Sequence, residues 1–289
     1  MACRDYHRLK LLVRLHQRFL IASLMFLGLS ACDADRAIPN LDDQFPSFNE
    51  ARQQESILFR SVEEMFSPGP ALQLALAVED GDIGTLEQLV REGTDVDIKG
   101  YKGVTPLFWA FRTGELDSFQ GLLKLGADAN ATADGMGLIH LVTSYGRDDF
   151  LKPLLDSGAD PNLCEAGDLP MTPLEYAIPT GQQNTKLKSL KLLIEAGADV
   201  NRTCGSTATP LVKAVSQIRY EVATYLLEQG ADPLVFAKRR HGLSAYLEHH
   251  DELLLPDAKQ RFWMAKFIDS LEEAGHSIDS LSSIRSREM

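Results

Sequence analysis

Residues 125–130 read LGADAN, and close copies of this phrase recur as SGADPN (157–162), AGADVN (196–201) and QGADP (229–233), with a divergent copy, EGTDVD, at 92–97. The glycine of each copy marks its position: Gly93, Gly126, Gly158, Gly197 and Gly230. The intervals between these glycines are 33, 32, 39 and 33 residues. A period near 33 residues is typical of a chain that stacks repeated structural units.

A second phrase, Thr-Pro-Leu followed by an apolar stretch, keeps a fixed distance from the first. It reads GVTPLFWAFRTG (103–114), MTPLEYAIPTG (171–181) and TATPLVKAVSQ (207–217), with a weaker copy, GMGLIHLVTSYG, at 135–146. Together the two phrases resemble the ankyrin repeat, whose unit is a β-turn and two antiparallel helices. The resemblance covers residues 70–277 and implies an all-α solenoid of about five to six helix-turn-helix units with β-turn connections.

The residue types in these phrases agree with that repeat. The threonine of the second phrase can cap the next helix, and the following proline fits the first helical turn; the threonines are Thr105, Thr172 and Thr209. A second helix such as DSFQGLLKLG (117–126) follows, with Phe119, Leu122 and Leu123 on one face, and a glycine ends it. We expect the Asp and Asn of each GADxN phrase to bond to the local backbone of the turn.

Both ends of the array differ from its middle, as a stack with polar outer surfaces requires. The first unit, 71–97, lacks the Thr-Pro pair, and the last, 241–277, has a longer middle. Ahead of them, the apolar spacing in residues 47–69 predicts an amphipathic helix that packs on the first unit as an N-terminal cap. We expect residues 278–289 to form a flexible tail.

The N-terminus has the pattern of a secretory signal. Residues 1–18 contain five basic residues and one acidic residue, and they lead into the apolar run FLIASLMFLGLSAC (19–32). This run is short for a membrane span. Its end, LSAC (29–32), resembles the lipobox of bacterial lipoproteins. The resemblance implies that residues 1–31 are removed and that Cys32 becomes the lipidated anchor, with palmitate among the expected acyl groups. An uncleaved anchor and a plain signal peptide remain the alternatives.

Such an anchor would place the chain in the bacterial cell envelope, facing the periplasm. Asp33 resembles the sorting signal that retains many enterobacterial lipoproteins at the inner membrane. Residues 32–46 are polar and contain prolines, which predicts a tether between the lipid and the folded part.

The charge of the chain limits its ligands. Without residues 1–31, 24 Lys and Arg face 40 Asp and Glu, a net charge of about −16. This balance disfavours nucleic acid and anionic lipid surfaces as ligands. It is compatible with a basic protein partner, but solubility of a long repeat array is the favoured explanation.

Two cysteines remain after the lipobox, Cys164 and Cys204, in nearly equivalent turns of neighbouring units. The periplasm permits a disulfide between them. Units of this family stack about 10 Å apart, whereas a disulfide needs Cα atoms within about 7 Å, so two unpaired thiols are the alternative. No CxxC spacing favours a redox or zinc site.

No pattern in the chain favours catalysis. GxSxG, GxxxxGK and HExxH spacings are absent, and no cofactor or catalytic residue is expected. The LEHHDE run (247–252) could suggest a metal, but adjacent side chains point apart on a helix, and a solvated helix end is favoured. His140 occupies the place where ankyrin repeats keep a histidine that ties the turn together.

The resemblance implies that a protein partner binds the concave side, made by turn tips and first helices. By register, this set is Tyr101, Lys102, Arg112, Thr113, Ser144, Tyr145, Pro179, Thr180, Ser216 and Gln217. Tyr and Arg often anchor interfaces. Trp109 and Tyr176 are expected to pack between helices, and Phe108 replaces the usual histidine.

The sequence therefore predicts a monomeric, lipid-anchored ankyrin-repeat protein that binds another protein and is not an enzyme. Two roles fit: an immunity-type inhibitor of a secreted antibacterial toxin, since bacterial repeat lipoproteins resemble immunity proteins paired with secreted lipases, and a scaffold for a resident periplasmic enzyme. A metal-dependent hydrolase that uses the 241–252 region is a third hypothesis.

Overall fold

The structure, a computed structural model, describes residues 60–166, 170–178, 187–205, 208–236, 242–253 and 258–277. Within them the chain forms one short helix followed by six helix pairs. The helices are α1 Val62–Met65, α2 Pro70–Glu79, α3 Ile83–Arg91, α4 Pro106–Thr113, α5 Leu116–Lys124, α6 Leu138–Ser144, α7 Asp148–Asp156, α8 Pro173–Ala177, α9 Leu187–Glu195, α10 Pro210–Ser216, α11 Tyr220–Glu228, α12 Leu243–Leu253 and α13 Ala258–Glu273. We call the pairs α2/α3 to α12/α13 units 1 to 6. The expected all-α repeat fold is confirmed.

Several predicted segments lie outside the described residues. They are the signal peptide (1–31) with its neighbours Cys32 and Asp33, the tether (32–46) and the tail (278–289). None of the helices in the described part of the chain has the length and apolar character that a membrane crossing requires.

The first helices begin as the Thr-Pro phrase predicts. In units 2, 4 and 5 the threonine hydroxyl accepts a hydrogen bond from the backbone N–H three residues on, at 3.5, 3.2 and 3.4 Å. In unit 4 Glu175 also accepts from the N–H of Thr172 at 2.8 Å, which completes a capping box. Unit 3 has Gly137 at this position, where an added Cβ would lie 2.5 Å from a side-chain carbon of Leu163. A threonine at this position would therefore require the Leu163 side chain to move.

The second helices of units 1 to 5 each contain nine residues. The phrase glycine follows each of them with a φ between 88° and 101°. This left-handed conformation ends a helix, and glycine adopts it without strain. In α5, Phe119 and Leu122 are fully buried and Leu123 is half-buried, so the predicted apolar face points into the core.

The helices form two rows. In the first row α2 contacts α4, and α6 contacts α8, which contacts α10; in the second row α3, α5, α7 and α9 contact one another in sequence. The two helices of units 1 to 5 also pack together. A line of fully buried leucines fills the space between the rows: Leu74, Leu86, Leu107, Leu122, Leu138, Leu154, Leu193, Leu211 and Leu226. Each unit thus buries its apolar face against its neighbours, and its stability depends on them.

The phrase asparagines connect consecutive units, in what we call the asparagine ladder. Asn130 Oδ1 accepts the N–H of Asp160 at 2.7 Å, and its Nδ2 donates to the carbonyl of Gly158 at 3.0 Å. Asn162 and Asn201 make the same two bonds to the next phrase. The phrase aspartates do bond within their own turns, as expected. The expectation that the asparagines also bond locally is wrong, because the next unit's backbone lies within reach of their amides.

We call the turns between units fingers and number them by the unit that they follow: Lys102 lies in the first finger, residues 132–137 form the second, and Ala166 lies in the third. Hydrogen bonds join neighbouring fingers side by side. In the second finger, β1 Thr132–Ala133 pairs antiparallel with β2 Met136–Gly137. At its tip, the N–H of Asp134 donates to the carbonyl of Lys102 in the first finger at 2.9 Å, and Ala166 of the third finger donates to the carbonyl of Gly135 at 2.8 Å. The first helices and the fingers together form the surface that we call the finger face.

Candidate partner-binding face

The finger face carries the residues predicted to bind a partner, and the short polar members of the set bond within their own helices. The hydroxyls of Thr113, Ser144 and Ser216 donate to carbonyls of α4, α6 and α10 at 3.0, 3.0 and 2.9 Å. Gln217 follows α10 and is half-buried. These side chains add polar surface but no charge. Two members lie outside the described residues: Pro179 and Thr180.

Tyr101, Lys102 and Arg112 contact other parts of this chain. Arg112 Nη2 donates to the carbonyl of Arg60 at 2.7 Å, and the Arg60 guanidinium carbon lies 4.0 Å from the centre of the Tyr101 ring. Lys102 Nζ lies 2.9 Å from Asp134 Oδ2. Burial lowers the pKa of Arg112, although the charge of Glu79 opposes this shift. Tyr101 and Arg112 therefore hold the chain's own N-terminal segment in place.

That segment, residues 60–66, is called the strap here. Its Met65 and Phe66 are almost fully buried. The rings of Phe66 and Trp109 are nearly perpendicular with centroids 5.7 Å apart, and Trp109 is itself buried, as expected of a helix-packing residue. An added Cβ at Gly100 would lie 2.5 Å from the carbonyl oxygen of Met65, so only glycine lets the strap pass this close. The strap thus covers the finger face of unit 2.

The strap overlaps the predicted N-terminal cap. Within the described part of residues 47–69, the only full helical turn ahead of α2 is α1, whose capping box joins Ser61 and Glu64. Helix α1 packs on α2, the first helix of unit 1. Residues 47–59 lie outside the described part. The contact with unit 2 was not predicted, because nothing in the local pattern of residues 60–66 points to Gly100 and Trp109.

A groove opens beside the strap, between α4 and α6. Its apolar walls are Met65 of the strap, Val104, Phe108, Phe111 and Leu141. Its volume is about 240 Å³. Phe108, which replaces the histidine usual in the family, therefore forms part of a wall and is buried. We call this feature the α4–α6 groove.

The rim of the groove carries one tyrosine and two arginines. Tyr145 is 59% exposed, although its ring contacts that of Phe111 in a T-shaped arrangement with centroids 6.0 Å apart. Arg112 and Arg147 complete the rim. Arg147 also makes two short bonds to Asp149, at 2.8 and 3.0 Å, and these bonds lower the pKa of Asp149. Two predicted partner residues, Arg112 and Tyr145, thus meet at one groove, and the sequence did not predict Arg147 or the apolar walls.

His140 lies where the resemblance implied a histidine that ties the turn together, and its bond reaches the turn that follows its own unit. It is fully buried, and its Nε2 lies 2.9 Å from the carbonyl oxygen of Leu163 in the next finger. Burial lowers its pKa, which favours the neutral ring. Tyr176 packs against it and donates to Glu165 at 2.6 Å. Both residues therefore have structural roles at the junction of units 3 and 4.

Cys164 and Cys204 are joined by a disulfide, with Cα atoms 5.6 Å apart. The bond connects the finger that follows unit 3 with the finger that follows unit 4. The stacking distance of the units does not prevent it, because both cysteines lie in fingers beyond the asparagine ladder and not in the stacked helices. Of the two alternatives left open by the sequence, the structure contains the bonded form.

The histidine pair of the LEHHDE run is divided between core and solvent. His250 is buried and its Nδ1 lies 2.7 Å from the Tyr220 hydroxyl, whereas His249 and Glu248 are exposed. Burial lowers the pKa of His250 to about 4 and raises that of Tyr220. Across the described ranges, no three His, Cys, Asp or Glu side chains are grouped so that they could hold a metal. His241 lies outside those ranges.

Comparison with known proteins agrees with this architecture. The human ankyrin repeat and SOCS box protein 16 is 32% identical over 58% of this chain, and protein PhlB of Serratia liquefaciens is 35% identical over 48%. The human ankyrin repeat and SOCS box protein 3 is 33% identical over 31%. The aligned parts span 38%, 60% and 18% of these relatives' own lengths.

The family comparison covers more than half of the chain. The family description "Ankyrin repeats (3 copies)" matches residues 73–165 and 138–237. These matches span units 1 to 5, with the phrases, the caps and the paired helices described above. The chain therefore belongs to the ankyrin-repeat family, whose repeats mediate binding between proteins.

Proposed function

We propose that this chain is a lipid-anchored protein of the bacterial cell envelope that faces the periplasm and inhibits a secreted antibacterial toxin by binding it. Binding uses the finger face, and the lipid on Cys32 holds the chain at the membrane, with Asp33 favouring the inner one. The protein acts as a monomer and catalyses no reaction of its own.

The observation that carries the binding proposal is the exposed Tyr145 beside an apolar groove. A tyrosine that is 59% exposed and flanked by arginines has the composition of an interface anchor. The surface extends from there along the first helices of units 3 to 5. The strap occupies the finger face of unit 2, so the partner binds beyond it.

The disulfide between Cys164 and Cys204 supports the periplasmic part of the proposal. Disulfides persist in oxidising compartments such as the bacterial periplasm, and they are rare in the cytosol. An exported chain would form this bond. The apolar run and LSAC at residues 19–32 supply the export signal and the acceptor cysteine. The similarity to PhlB, a bacterial protein, fits this setting.

Affinity capture with the full chain as bait tests the binding role. One sample is the secreted protein of the producing cell and its competitors, and the other is periplasmic extract of the producing cell. A stoichiometric secreted toxin that the chain neutralises supports the inhibitor role. A resident periplasmic enzyme supports the scaffold role instead.

The capture should be repeated with Tyr145→Ala, and with Tyr225→Ala as the matched control on the second-helix row. Loss of the partner with the first variant only would place the contact on the finger face. Tyr101 and Arg112 are poor choices for this test, because their substitution would also release the strap.

The anchor has its own test. Cys32→Ser should move the chain from the membrane fraction to the soluble fraction and remove the acylated mass from its spectrum. A chain that stays in the membrane fraction after this substitution contradicts the lipid anchor.

A further inference from the structure

The two sulfurs of the Cys164–Cys204 disulfide differ in their access to solvent. Cys204 is 7% exposed, whereas Cys164 lies in the third finger and is half-buried. The rate of thiol–disulfide exchange depends on access to the sulfur, so a reagent from solution reaches Cys164 more easily. Cys204 has to reach only its neighbour, and the bonded form shows that the two sulfurs can meet.

A positive side chain lies beside the more accessible sulfur. Arg202 Nη2 is 3.8 Å from Cys164 Sγ. The turn that carries this arginine is fixed by the asparagine ladder. Asn162 accepts the N–H of Asp199 at 2.8 Å, and the carbonyl of Asp199 accepts the N–H of Arg202 at 3.1 Å. Because Asn162 and Cys164 lie in the same finger, the bonds that join the two fingers also place the guanidinium beside the sulfur.

An arginine in this position favours the thiolate form of a reduced cysteine, which is the form that reacts. The effect is small, because Arg202 is exposed and water screens its charge. The adjacent carboxylate of Glu165, whose charge acts the other way, accepts a hydrogen bond from the Tyr176 hydroxyl at 2.6 Å. Solvent access and the contact with arginine therefore favour the same cysteine, Cys164.

We propose that Cys164 is the site at which an external disulfide oxidises this chain, with Arg202 as the positioning residue that activates it. In the reduced chain the Cys164 thiolate attacks one sulfur of the external disulfide, which forms a mixed disulfide and releases one thiolate. The Cys204 thiol then loses its proton and attacks Cys164 Sγ, which forms the internal bond and releases the second thiolate. Two electrons pass from the two cysteines to the external disulfide, and the two released thiolates take up the two cysteine protons. This reaction does not depend on what the finger face binds.

A small uncharged disulfide tests this order of reaction. Bis(2-hydroxyethyl) disulfide is suitable, because its rate does not include attraction to an arginine. The full chain in detergent micelles is reduced, freed of reductant and mixed with the probe at neutral pH, and samples are quenched with acid and alkylated. Peptide mapping by mass spectrometry reads the Cys164 and Cys204 peptides separately, so other cysteines do not contribute.

Single-cysteine variants separate the two steps. In Cys204→Ser the mixed disulfide should accumulate on Cys164, because the second thiol is absent. In Cys164→Ser the Cys204 thiol should react about five-fold more slowly, since it is buried. In urea the two variants should react at similar rates, because the difference comes from the folded structure.

The role of the arginine is measured in the Cys204→Ser background. Arg202→Gln should slow the reaction of Cys164 about two-fold, because the lost charge is exposed and a less stabilised thiolate is also a better nucleophile. Arg202→Lys should restore most of the rate. Arg91→Gln, the matched removal of an arginine on α3, should leave the rate unchanged.

The reduced wild type provides a test that does not depend on how the variants fold. Its transient mixed disulfide should be found on Cys164 and not on Cys204. A mixed disulfide mainly on Cys204, equal rates for the two folded single-cysteine variants, or an Arg202→Gln rate equal to that of its parent would each overturn the proposal. None of these results would affect capture of a partner by the finger face, so the proposed function would stand.

Discussion

Asp97 occupies the ladder position that asparagine holds in the next three phrases. Its carboxylate accepts the N–H of Asp128 at 2.9 Å, but it cannot donate to the carbonyl of Gly126 as an asparagine amide would. Burial raises the pKa of Asp97, and the negative charges of Asp128 and Asp95 add to this rise. The ionised side chain is therefore less favourable in the folded chain than in the unfolded one.

Asp97→Asn should stabilise the protein at neutral pH by about 1 kcal/mol, mainly because it adds a ladder hydrogen bond; loss of the partly exposed charge adds less, since solvent screens it. A folded-state pKa above the unfolded value means that the charge destabilises the fold at high pH, and that the effect disappears as pH falls below the unfolded value. The difference in melting temperature between variant and wild type should therefore shrink in acid. Asp199→Asn, a change in a side chain that bonds its own turn in a phrase away from Asp97, should be nearly neutral; an equal gain there would contradict the explanation.

His250 is a second residue whose charge matters to stability. Its pKa is lowered to about 4 by burial, against an unfolded value near 6.5. The other groups facing it are Tyr220, which shares its hydrogen bond, and His249, whose charge also opposes protonation. Since the unfolded chain takes up a proton first, the contribution of His250 is complete above pH ~6.5 and is lost as pH falls towards ~4.

His250→Gln should therefore flatten the loss of stability between pH ~6.5 and ~4, because glutamine accepts from Tyr220 but does not titrate. Thermal unfolding followed by circular dichroism at several pH values measures this. His249→Gln, the exposed neighbour, should keep most of the wild-type slope. If both variants have the same slope as the wild type, His250 does not control acid stability.

Among single residues, the sequence predicted two of the three rim residues of the groove but not their surroundings. Arg112 and Tyr145 followed from repeat register, since register fixes which side of a helix a residue faces. Arg147 and the apolar walls depend on the spacing of α4 and α6 and on the strap, and neither is written in a local pattern. In the LEHHDE run the sequence also left the surroundings open. The burial of His250 depends on how α12 packs against Tyr220, which the run itself does not indicate.

Units 3 and 4 are joined on the side of the fingers by ladder hydrogen bonds and by a disulfide. Asn162 bonds the backbone of Asp199 and Gly197, at 2.8 and 3.0 Å, and the Cys164–Cys204 disulfide closes the adjacent fingers. His140 adds its bond to Leu163. In a repeat array, the interface between neighbours carries a large share of each unit's stability.

Asn162→Ala should destabilise the oxidised protein by about 1–2 kcal/mol, since it removes two hydrogen bonds in a partly exposed turn. The same substitution in Cys164→Ser/Cys204→Ser should cost a different amount, because groups that share one interface are not additive. Denaturant unfolding of the wild type, Asn162→Ala, Cys164→Ser/Cys204→Ser and the combined variant gives the coupling free energy between the asparagine and the disulfide. Strict additivity would show that ladder and disulfide hold the interface independently.

Helix starts and ends were predictable at the level of elements because they rest on single residues with one physical role. Thr172 and its proline begin α8, and Gly197 ends α9, as the phrases indicated. The ladder was not predictable, because the same asparagine amide can bond either its own turn or the turn of the next unit. Which of the two bonds forms depends on how the units stack. The contacts of the strap were likewise invisible, since they join residues more than thirty positions apart.

For the whole molecule, the Cys164–Cys204 disulfide makes folding stability depend on the redox state of the compartment in which the chain folds. The ladder, the caps and the leucine core form in any compartment, but the disulfide forms only where the surroundings are oxidising. The chain produced without residues 1–31 would fold in the cytosol with both thiols reduced. It would have the same array of units and a weaker junction between units 3 and 4.

We expect this reduced form to be less stable than the disulfide-bonded form by about 2–4 kcal/mol, the usual effect of a disulfide that closes a loop of this size. Denaturant unfolding of the two preparations, with thiol counting, measures the difference. Cys164→Ser/Cys204→Ser should have the same stability from either compartment. Equal stability of the two wild-type preparations would show that the bond does not stabilise the fold.

Because of the asparagine ladder, the alignment of neighbouring units does not depend on the number of residues in each unit. Each rung joins one phrase to the next, while the intervals between phrase glycines range from 32 to 39 residues. The chain between two phrases can therefore gain or lose residues without shifting the alignment of its neighbours, as the longer fourth unit illustrates. A single residue inserted within a phrase would instead shift the asparagine amide by one residue along the backbone. The ladder bonds to the neighbouring phrases would then be lost. New loops on this scaffold should be built between the phrases and never inside them.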